Sequence, residues 1–164
     1  MPTALDLDFV RRQFPALDGS FIYLDNAGGS QTLGRVVDRI SDYLLRTNVQ
    51  LGATYAVSQT AASRVAEGVA AVRAWLNAAD TSEIVLGAST TQLLANLAHA
   101  MASGFGAGDE IIVTNCDHES NIGPWRRLQD LGVRVVTWHL NSDSMTLELD
   151  DLKVLLSDRT RLVC

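Results

Sequence analysis

The chain has 164 residues, of which 47% are hydrophobic and 20% are charged, and this composition predicts one globular domain with a buried core. Its net charge of -6 and its pI near 4.9 argue against a nucleic-acid or membrane-surface binder, because such proteins carry clustered basic residues. No apolar stretch reaches the length of a membrane span, the two cysteines do not make a disulfide framework, and the N-terminus lacks a signal-peptide pattern, so we expect a cytoplasmic protein.

The first half of the chain is predicted to be mainly helical. Hydrophobic periodicity and breaker residues predict three helices, over residues 6–14, 34–46 and 58–77. Ser58 is the expected N-cap of the third helix. A short apolar run at residues 21–24 predicts a strand, and a loop with two adjacent glycines, residues 25–31, follows it. Residues 47–57 have no regular pattern.

The second half alternates strand and helix patterns. Strands are predicted at residues 83–86, 110–114, 133–138 and 161–164. Helices are predicted at residues 92–103, 121–131 and 147–156. This alternation predicts an α/β fold with a mostly parallel sheet and helices on both faces. Because the chain stops within the last apolar run, we expect it to be truncated at its C-terminal end.

The turn between the first of these strands and its helix has the composition of an anion site. Ser89, Thr90 and Thr91 place three hydroxyls beside the free N–H groups at the start of a helix. The turn lacks the glycines of a dinucleotide fingerprint and the lysine of a Walker loop. A plainer interpretation is a capped helix with Ser89 or Thr90 as its N-cap.

His118 lies on the next strand-to-helix turn, between two acids, Asp117 and Glu119. The neighbouring acids and Cys116 are too crowded to converge on one ion, so we expect no metal site. The histidine could act as a general acid or base, stack on a planar cofactor, or simply face solvent. Ser120 and Asn121 are interpreted as helix caps, and Cys116 and Cys164 as buried and inert.

The two turns would open onto one crevice if they follow neighbouring strands of a parallel sheet. An anion site and a histidine in one crevice would suit a small, planar, phosphorylated ligand. A third loop contains Gly28 and Gly29, which would allow a close backbone approach to a ligand or form a plain tight turn.

At these positions the sequence resembles the aminotransferase class V family of pyridoxal-phosphate enzymes, especially cysteine desulfurases and desulfurase-like proteins. The motifs that carry the resemblance occur in order at residues 23–31, 83–92, 108–114, 117–125 and 158–163. The resemblance implies that residues 1–164 are the N-terminal part of the large domain of a fold-type I pyridoxal-phosphate enzyme, with residues 1–20 as an N-terminal arm.

The same resemblance implies roles for the loop residues. His118 would stack on the ring of pyridoxal 5'-phosphate and help to move protons, and Ser89, Thr90 and Thr91 would bind its phosphate. Ala27 and Gly28 would line the substrate side. The family also implies an amino-acid substrate and a homodimer, whose interface would lie near residues 47–57.

Three departures from the commoner motifs point to a desulfurase-like branch. The phosphate turn reads Ser-Thr-Thr-Gln instead of Gly-Thr-Thr-Glu, Glu119 stands where many desulfurases have a second histidine, and residues 50–52 replace a basic stretch. The family also needs a lysine bonded to the cofactor and an acid for the pyridine nitrogen, both downstream of this region. The only lysine here, Lys153, is expected on the solvated face of a helix.

The resulting hypothesis is the N-terminal part of an enzyme that cleaves a carbon–sulfur bond of an amino acid in the manner of a cysteine desulfurase. The alternatives are a class V aminotransferase or epimerase and, from another class, a non-catalytic fragment that lacks the cofactor-bonding lysine.

Overall fold

The computed structural model describes residues 4–164, which form two compact units. The first unit ends at Ile84 and the second begins at Val85. Within residues 4–164, no helix combines the length and the apolarity that a bilayer crossing requires.

The first unit is built on three α-helices: α1 (Leu7–Arg12), α2 (Gly34–Arg46) and α3 (Ala56–Trp75). The bounds of α2 are those that its periodicity predicts. Arg64 of α3 joins two parts of the unit, because it lies 2.8 Å from Asp42 of α2 and also donates to the hydroxyl of Thr47 at 3.1 Å. A cavity of about 460 Å³ lies between α2 and α3.

Ser58 does not cap α3, contrary to prediction. The helix begins at Ala56, so Ser58 lies in its first turn and is fully buried. Its hydroxyl donates to the carbonyl of Gln50 at 2.7 Å and accepts the N–H of Ala53 at 3.0 Å. Ser58 therefore holds the preceding loop against the helix. A local capping pattern does not reveal this role, because the partners of Ser58 lie five and eight residues before it.

Two predicted strands are wrong. Residues 21–24 are irregular and unpaired within the described chain, and Phe21, Ile22 and Leu24 are largely exposed. Residues 83–86 are also unpaired within the part of the chain that the structure describes. Glu83 belongs to a short 3₁₀ turn, Thr81–Glu83, in which its side chain accepts the N–H of Asp80 at 2.9 Å. An apolar run becomes a strand only where a neighbouring strand accepts its backbone hydrogen bonds.

The second unit contains the parallel sheet that the sequence predicts. Its strands are β1 (Glu110–Thr114), β2 (Arg134–Trp138) and β3 (Thr160–Val163), and β1 lies in the centre. Glu110 pairs with Arg134 and Thr114 with Trp138, so β1 and β2 run side by side without a shift. The pairing of β1 with β3 has one irregularity, between Glu110 and Ile111.

Helices cover both faces of this sheet. The helices of the unit are α4 (Thr90–Met101), α5 (Glu119–Arg126) and α6 (Leu149–Leu155). Ile111 and Val113 of β1 point to one face, where the core contains Ala98, Ile122, Trp125, Leu128 and Val133. Ile112 points to the opposite face and is also fully buried. Trp138 lies on that second face by register and lines a cavity together with residues of α6.

Candidate functional site

The Ser89–Thr91 turn begins α4. Ser89 is the N-cap, since its backbone is extended and its hydroxyl accepts the N–H of Gln92 at 3.2 Å. Of the two caps that the sequence left open, the structure therefore selects Ser89. Gly87, two residues earlier, leaves room for the side chain of Leu93, because a Cβ at this position would lie 2.6 Å from it.

Thr90 and Thr91 keep their donors available. Both are exposed residues of the first helical turn, and within the described chain neither their N–H groups nor their hydroxyls bond to another protein group. Free N–H groups at a helix start attract anions because the helix dipole adds partial positive charge there. The turn can therefore hold a phosphate group, while Ser89 is already engaged in holding the helix.

His118 is the N-cap of α5, which corrects the prediction that Ser120 and Asn121 are its caps. Its imidazole Nδ1 accepts the backbone N–H of Ser120 at 3.1 Å and lies 2.8 Å from the Ser120 hydroxyl. Helix α5 begins at Glu119, so Ser120 and Asn121 are inside its first turn. The sequence favoured the commoner capping residues, because a histidine caps only when its ring nitrogen is free to accept.

The preceding acid holds the backbone of His118. Asp117 Oδ1 accepts the N–H of His118 at 2.6 Å, and Asp117 Oδ2 accepts from the amide of Asn121. These bonds, first the one from Asn121 and then the one from His118, lower the pKa of Asp117 below its usual value. Asp117 is therefore a stable carboxylate whose two oxygens are committed to this turn.

The turn is connected to the core through α5. The indole Nε1 of Trp125, which is buried, lies 3.5 Å from Asn121 Oδ1. A spacing of four residues separates Asp117, Asn121 and Trp125. Asn121 and Trp125 therefore lie on the same face of α5, and Asp117 lies on that side just before the helix begins. This i, i+4 spacing is the sequence signal that could have identified Asn121 as a support for the His118 turn.

The Ser89–Thr91 turn and the His118 turn are connected through the packing of the helices that they begin, and not through neighbouring strands. The predicted strand before Ser89 is absent, but α4 packs directly against α5, and Ala98 of α4 shares the core with Ile122 and Trp125 of α5. Within the described residues, no hydrogen bond joins the Ser89–Thr91 turn to His118. Each turn is therefore held by its own helix, and the contact between the helices relates them.

Gly28 and Ala27 belong to the first unit. The N–H of Gly28 donates to the Asp25 side chain at 3.0 Å and to the Asp25 carbonyl at 3.2 Å. A Cβ at Gly28 would lie 2.5 Å from an Asp25 carboxylate oxygen, so the close approach of this side chain requires glycine. The proposed position of Ala27 and Gly28 beside a substrate stays a prediction.

The two cysteines differ in exposure. Cys116 is exposed, contrary to prediction, because it lies on the open turn two residues after the end of β1, with its Sγ 3.7 Å from the Thr114 hydroxyl. Cys164 is partly buried, and this burial, with a smaller effect of Asp117, raises the pKa of its thiol to about 11. Among residues 4–164, no group of three or more histidine, cysteine, aspartate or glutamate residues could hold a metal ion.

Comparison with known proteins places the chain in a family. A sequence model described as aminotransferase class-V matches residues 22–164. The chain belongs to the aminotransferase class-V family. Members of this family and the related cysteine desulfurases are pyridoxal-phosphate enzymes.

Several class-V relatives resemble the chain over nearly its whole length. It is 44% identical to the aminotransferase-like protein FGM3 of Gibberella zeae, and the match covers 98% of the chain and 41% of that relative. It is 33% identical to a cysteine desulfurase of Synechococcus elongatus, over 96% of the chain and 26% of that relative. It also matches the apo structure of a cysteine desulfurase from Thermococcus onnurineus NA1 with a TM-score of 0.88 and 27% identity, over 99% of the chain and 40% of that structure.

The chain therefore shares the fold of the class-V enzymes but spans less than half the length of these relatives. Its second unit also fits the family's cofactor in chemical terms. Thr90 and Thr91 offer unengaged donors of the kind that a phosphate needs, and the exposed ring of His118 offers a planar surface.

Proposed function

We propose that this chain forms the part of a pyridoxal-phosphate-dependent enzyme that binds the cofactor's phosphate and covers its ring. We further propose that the enzyme acts on an amino acid by carbon–sulfur cleavage of the cysteine desulfurase kind. The observation that carries the proposal is the packing of α4 on α5, two helices whose N-termini present unengaged hydroxyls and a held imidazole.

In this proposal Thr90 and Thr91 bind the phosphate. Their N–H groups and hydroxyls are the free donors of the α4 N-terminus, and the dipole of this helix favours a dianion there. Ser89 contributes indirectly, because its hydroxyl holds the N–H of Gln92 and keeps the first turn helical. The role of Ser89 in phosphate binding is therefore to shape the turn.

His118 stacks on the cofactor ring and holds a proton at Nε2. Its Nδ1 is occupied by Ser120, so Nε2 is the ring atom that remains for a reacting group. When bound, the cofactor supplies an electron sink for the bonds at the α-carbon of the amino acid. From the family resemblance alone, we also propose that Ala27 and Gly28 line the substrate side.

The cofactor-bonding lysine would come from polypeptide outside these 164 residues. Lys153 is the chain's single lysine, and its ammonium pairs with Asp150 at 2.7 Å on an exposed part of α6. In the proposed complete enzyme, a second copy would complete the site, the interface between the copies would lie near residues 47–57, and the homodimer would be cytoplasmic.

A second candidate is transamination rather than carbon–sulfur cleavage. It is favoured by the 44% identity to an aminotransferase-like protein, compared with 33% to a named cysteine desulfurase. Both reactions would use the same phosphate turn and the same histidine, so these residues do not discriminate between them.

Cofactor binding can be tested with this chain and pyridoxamine 5'-phosphate, which has no aldehyde to react with stray amines. We expect tryptophan fluorescence to report saturable binding that is lost with pyridoxamine, which lacks the phosphate. Replacing Thr90 or Thr91 by Val should weaken binding roughly tenfold by removing a charge-assisted hydrogen bond. Thr60→Val, at an exposed threonine of α3, is the matched control. Equal binding with and without the phosphate would contradict the proposal.

The reaction can be tested with a longer protein that contains this chain. Incubation with cysteine and an added thiol reductant should release sulfide and leave alanine, because the reductant supplies the two electrons that convert the sulfur removed from cysteine into sulfide. An aminotransferase would instead produce a keto acid from its amino donor. If His118 transfers a proton in the reaction, the turnover of the His118→Gln variant should be lower by a factor of about 100 or more. Production of a keto acid without sulfide would favour the second candidate.

A further inference from the structure

We propose that Ser120 is a positioning residue that fixes both the tautomer and the orientation of the His118 ring. Two groups of Ser120 meet the same ring atom: its backbone N–H is 3.1 Å from Nδ1 and its hydroxyl is 2.8 Å from Nδ1. A backbone N–H can only donate, so Nδ1 must accept. The proton of the neutral ring is therefore on Nε2.

The hydroxyl of Ser120 reinforces this choice. A hydroxyl can donate or accept, so by itself it would tolerate either tautomer. The neighbouring N–H removes that freedom, because a proton on Nδ1 would point towards another donor. The ring would then turn away from Ser120 and lose the bond to the hydroxyl as well, so the hydroxyl stabilises only the tautomer in which Nδ1 accepts. The ring consequently presents Nε2–H outward and offers its surroundings a hydrogen-bond donor instead of a free base.

The other end of His118 is held separately. Its backbone N–H donates to Asp117, which is in turn bonded by Asn121, and Asn121 contacts the buried Trp125. The remaining charged neighbour, Glu119, points to Arg126, with 3.6 Å between the charged atoms. Because Asp117 holds the backbone and Ser120 holds Nδ1, both torsions of the side chain between these points are restrained.

This inference extends the proposed function, and its catalytic consequence rests on it. A ring that stacks on a cofactor must keep one orientation, and Ser120 supplies the only side-chain hydrogen bond to the His118 imidazole within the described residues. In the reaction, Nε2 would enter as the proton-bearing atom. The tautomer itself is a property of the chain and does not depend on the cofactor.

The test is the ¹⁵N spectrum of the histidine rings in this chain without cofactor, recorded at a pH at which the rings are neutral. The signals of His118 are assigned by their loss in His118→Gln, which separates them from those of His99 and His139. We expect a pyrrole-type Nε2 and a pyridine-type Nδ1. A ring protonated mainly on Nδ1 would overturn the proposal.

Variants of Ser120 test its part directly. Ser120→Ala should reduce the ratio of the two tautomers roughly two- to tenfold, the effect of one net hydrogen bond, while Ser120→Thr should restore it. Ser63→Ala, which removes an exposed hydroxyl bonded to Glu67, should leave the ratio unchanged. Circular dichroism verifies that each variant is folded, and an unchanged ratio in Ser120→Ala would refute the role of the hydroxyl.

The outcome is separable from that of the proposed function. If His118 has the expected tautomer but pyridoxamine 5'-phosphate does not bind, the positioning role stands and the proposed function fails. If the phosphate binds but the ring is a mixture of tautomers in the unsubstituted chain, the proposed function stands and the positioning role fails.

Discussion

Glu110 and Arg134 are paired residues at the first positions of β1 and β2, and Glu110 Oε1 lies 2.6 Å from Arg134 Nη1. The second oxygen of Glu110 accepts from the hydroxyl of Ser157, which lies 47 residues away in the chain. Glu110 is buried, whereas Arg134 reaches solvent. One carboxylate thus joins β2 and the loop that precedes β3 to the central strand at the amino end of the sheet.

Replacing Glu110 by Gln should destabilise the sheet by about 1–3 kcal/mol, since the neutral amide keeps only one acceptor oxygen and loses the charge that strengthens the bonds to Arg134 and Ser157. Hydrogen exchange of the β1 amides measures this loss. Glu67→Gln is the control, because Glu67 is exposed and, among the residues that the structure describes, bonds only to Ser63. Equal exchange in the two variants would contradict a special role for Glu110.

The stability of the second unit should depend on the ionisation of Asp109. The N–H of Gly106 donates to this carboxylate at 2.8 Å and Arg161 lies 3.2 Å away. The bond from Gly106, with a smaller contribution from Arg161, lowers the pKa of Asp109 below its ordinary value of 3.8. Because the folded pKa is the lower one, Asp109 stabilises the fold above pH 3.8, and this contribution is lost as the pH falls through the folded pKa.

We therefore expect urea unfolding curves of the parent chain and Asp109→Asn to differ most above about pH 5 and to converge in more acidic solution. Other carboxylates titrate alike in both proteins and cancel in the difference. Asp143→Asn is the matched control, because the Asp143 side chain makes no hydrogen bond or ion pair in the described chain. A pH-independent difference for Asp109→Asn would contradict the assignment.

Removal of the indole nitrogen should change the free energy of unfolding differently at the two tryptophans of the second unit. Trp138 has a buried Nε1 with no partner among the described residues, whereas Trp125 is almost fully buried and its Nε1 faces Asn121. Trp138→Phe removes an unsatisfied donor, so it should change stability by less than about 1 kcal/mol. Trp125→Phe should cost about 1–3 kcal/mol by leaving a cavity and freeing Asn121. Equal costs in urea unfolding would show that the Trp138 donor is satisfied.

The sequence predicted the elements whose own residues determine them. Strand β1 has the predicted bounds because residues 110–114 are buried on both faces and therefore form a continuous apolar run between polar turns. Helix α2 also has the predicted bounds, because its apolar residues recur at helical spacing. The parallel arrangement of the sheet followed from the alternation of strands and helices.

The errors concern relationships that the sequence does not encode locally. Residues 21–24 and 83–86 have the composition of strands, but strand formation needs a partner, and residues 4–164 provide none for them. His118 was predicted as a functional residue but not as a helix cap, because capping by histidine depends on which ring nitrogen carries the proton. The serine and asparagine beside it were the stronger local signals and were assigned the wrong role.

In the first unit, a variant of Ser58 tests whether its hydroxyl holds the loop that precedes α3. Its buried hydroxyl joins the carbonyl of Gln50 to the N–H of Ala53, so Ser58→Ala would leave two backbone groups of the loop without their partner. We expect a loss of about 1–3 kcal/mol, with faster hydrogen exchange at Ala53 as the local signature. Ser63→Ala, on the exposed part of the same helix, should change stability by less than about 0.5 kcal/mol. If Ser58 were a simple N-cap, its replacement would instead affect the first turn of α3. Unchanged hydrogen exchange at Ala53 together with faster exchange in that turn would therefore favour the capping role.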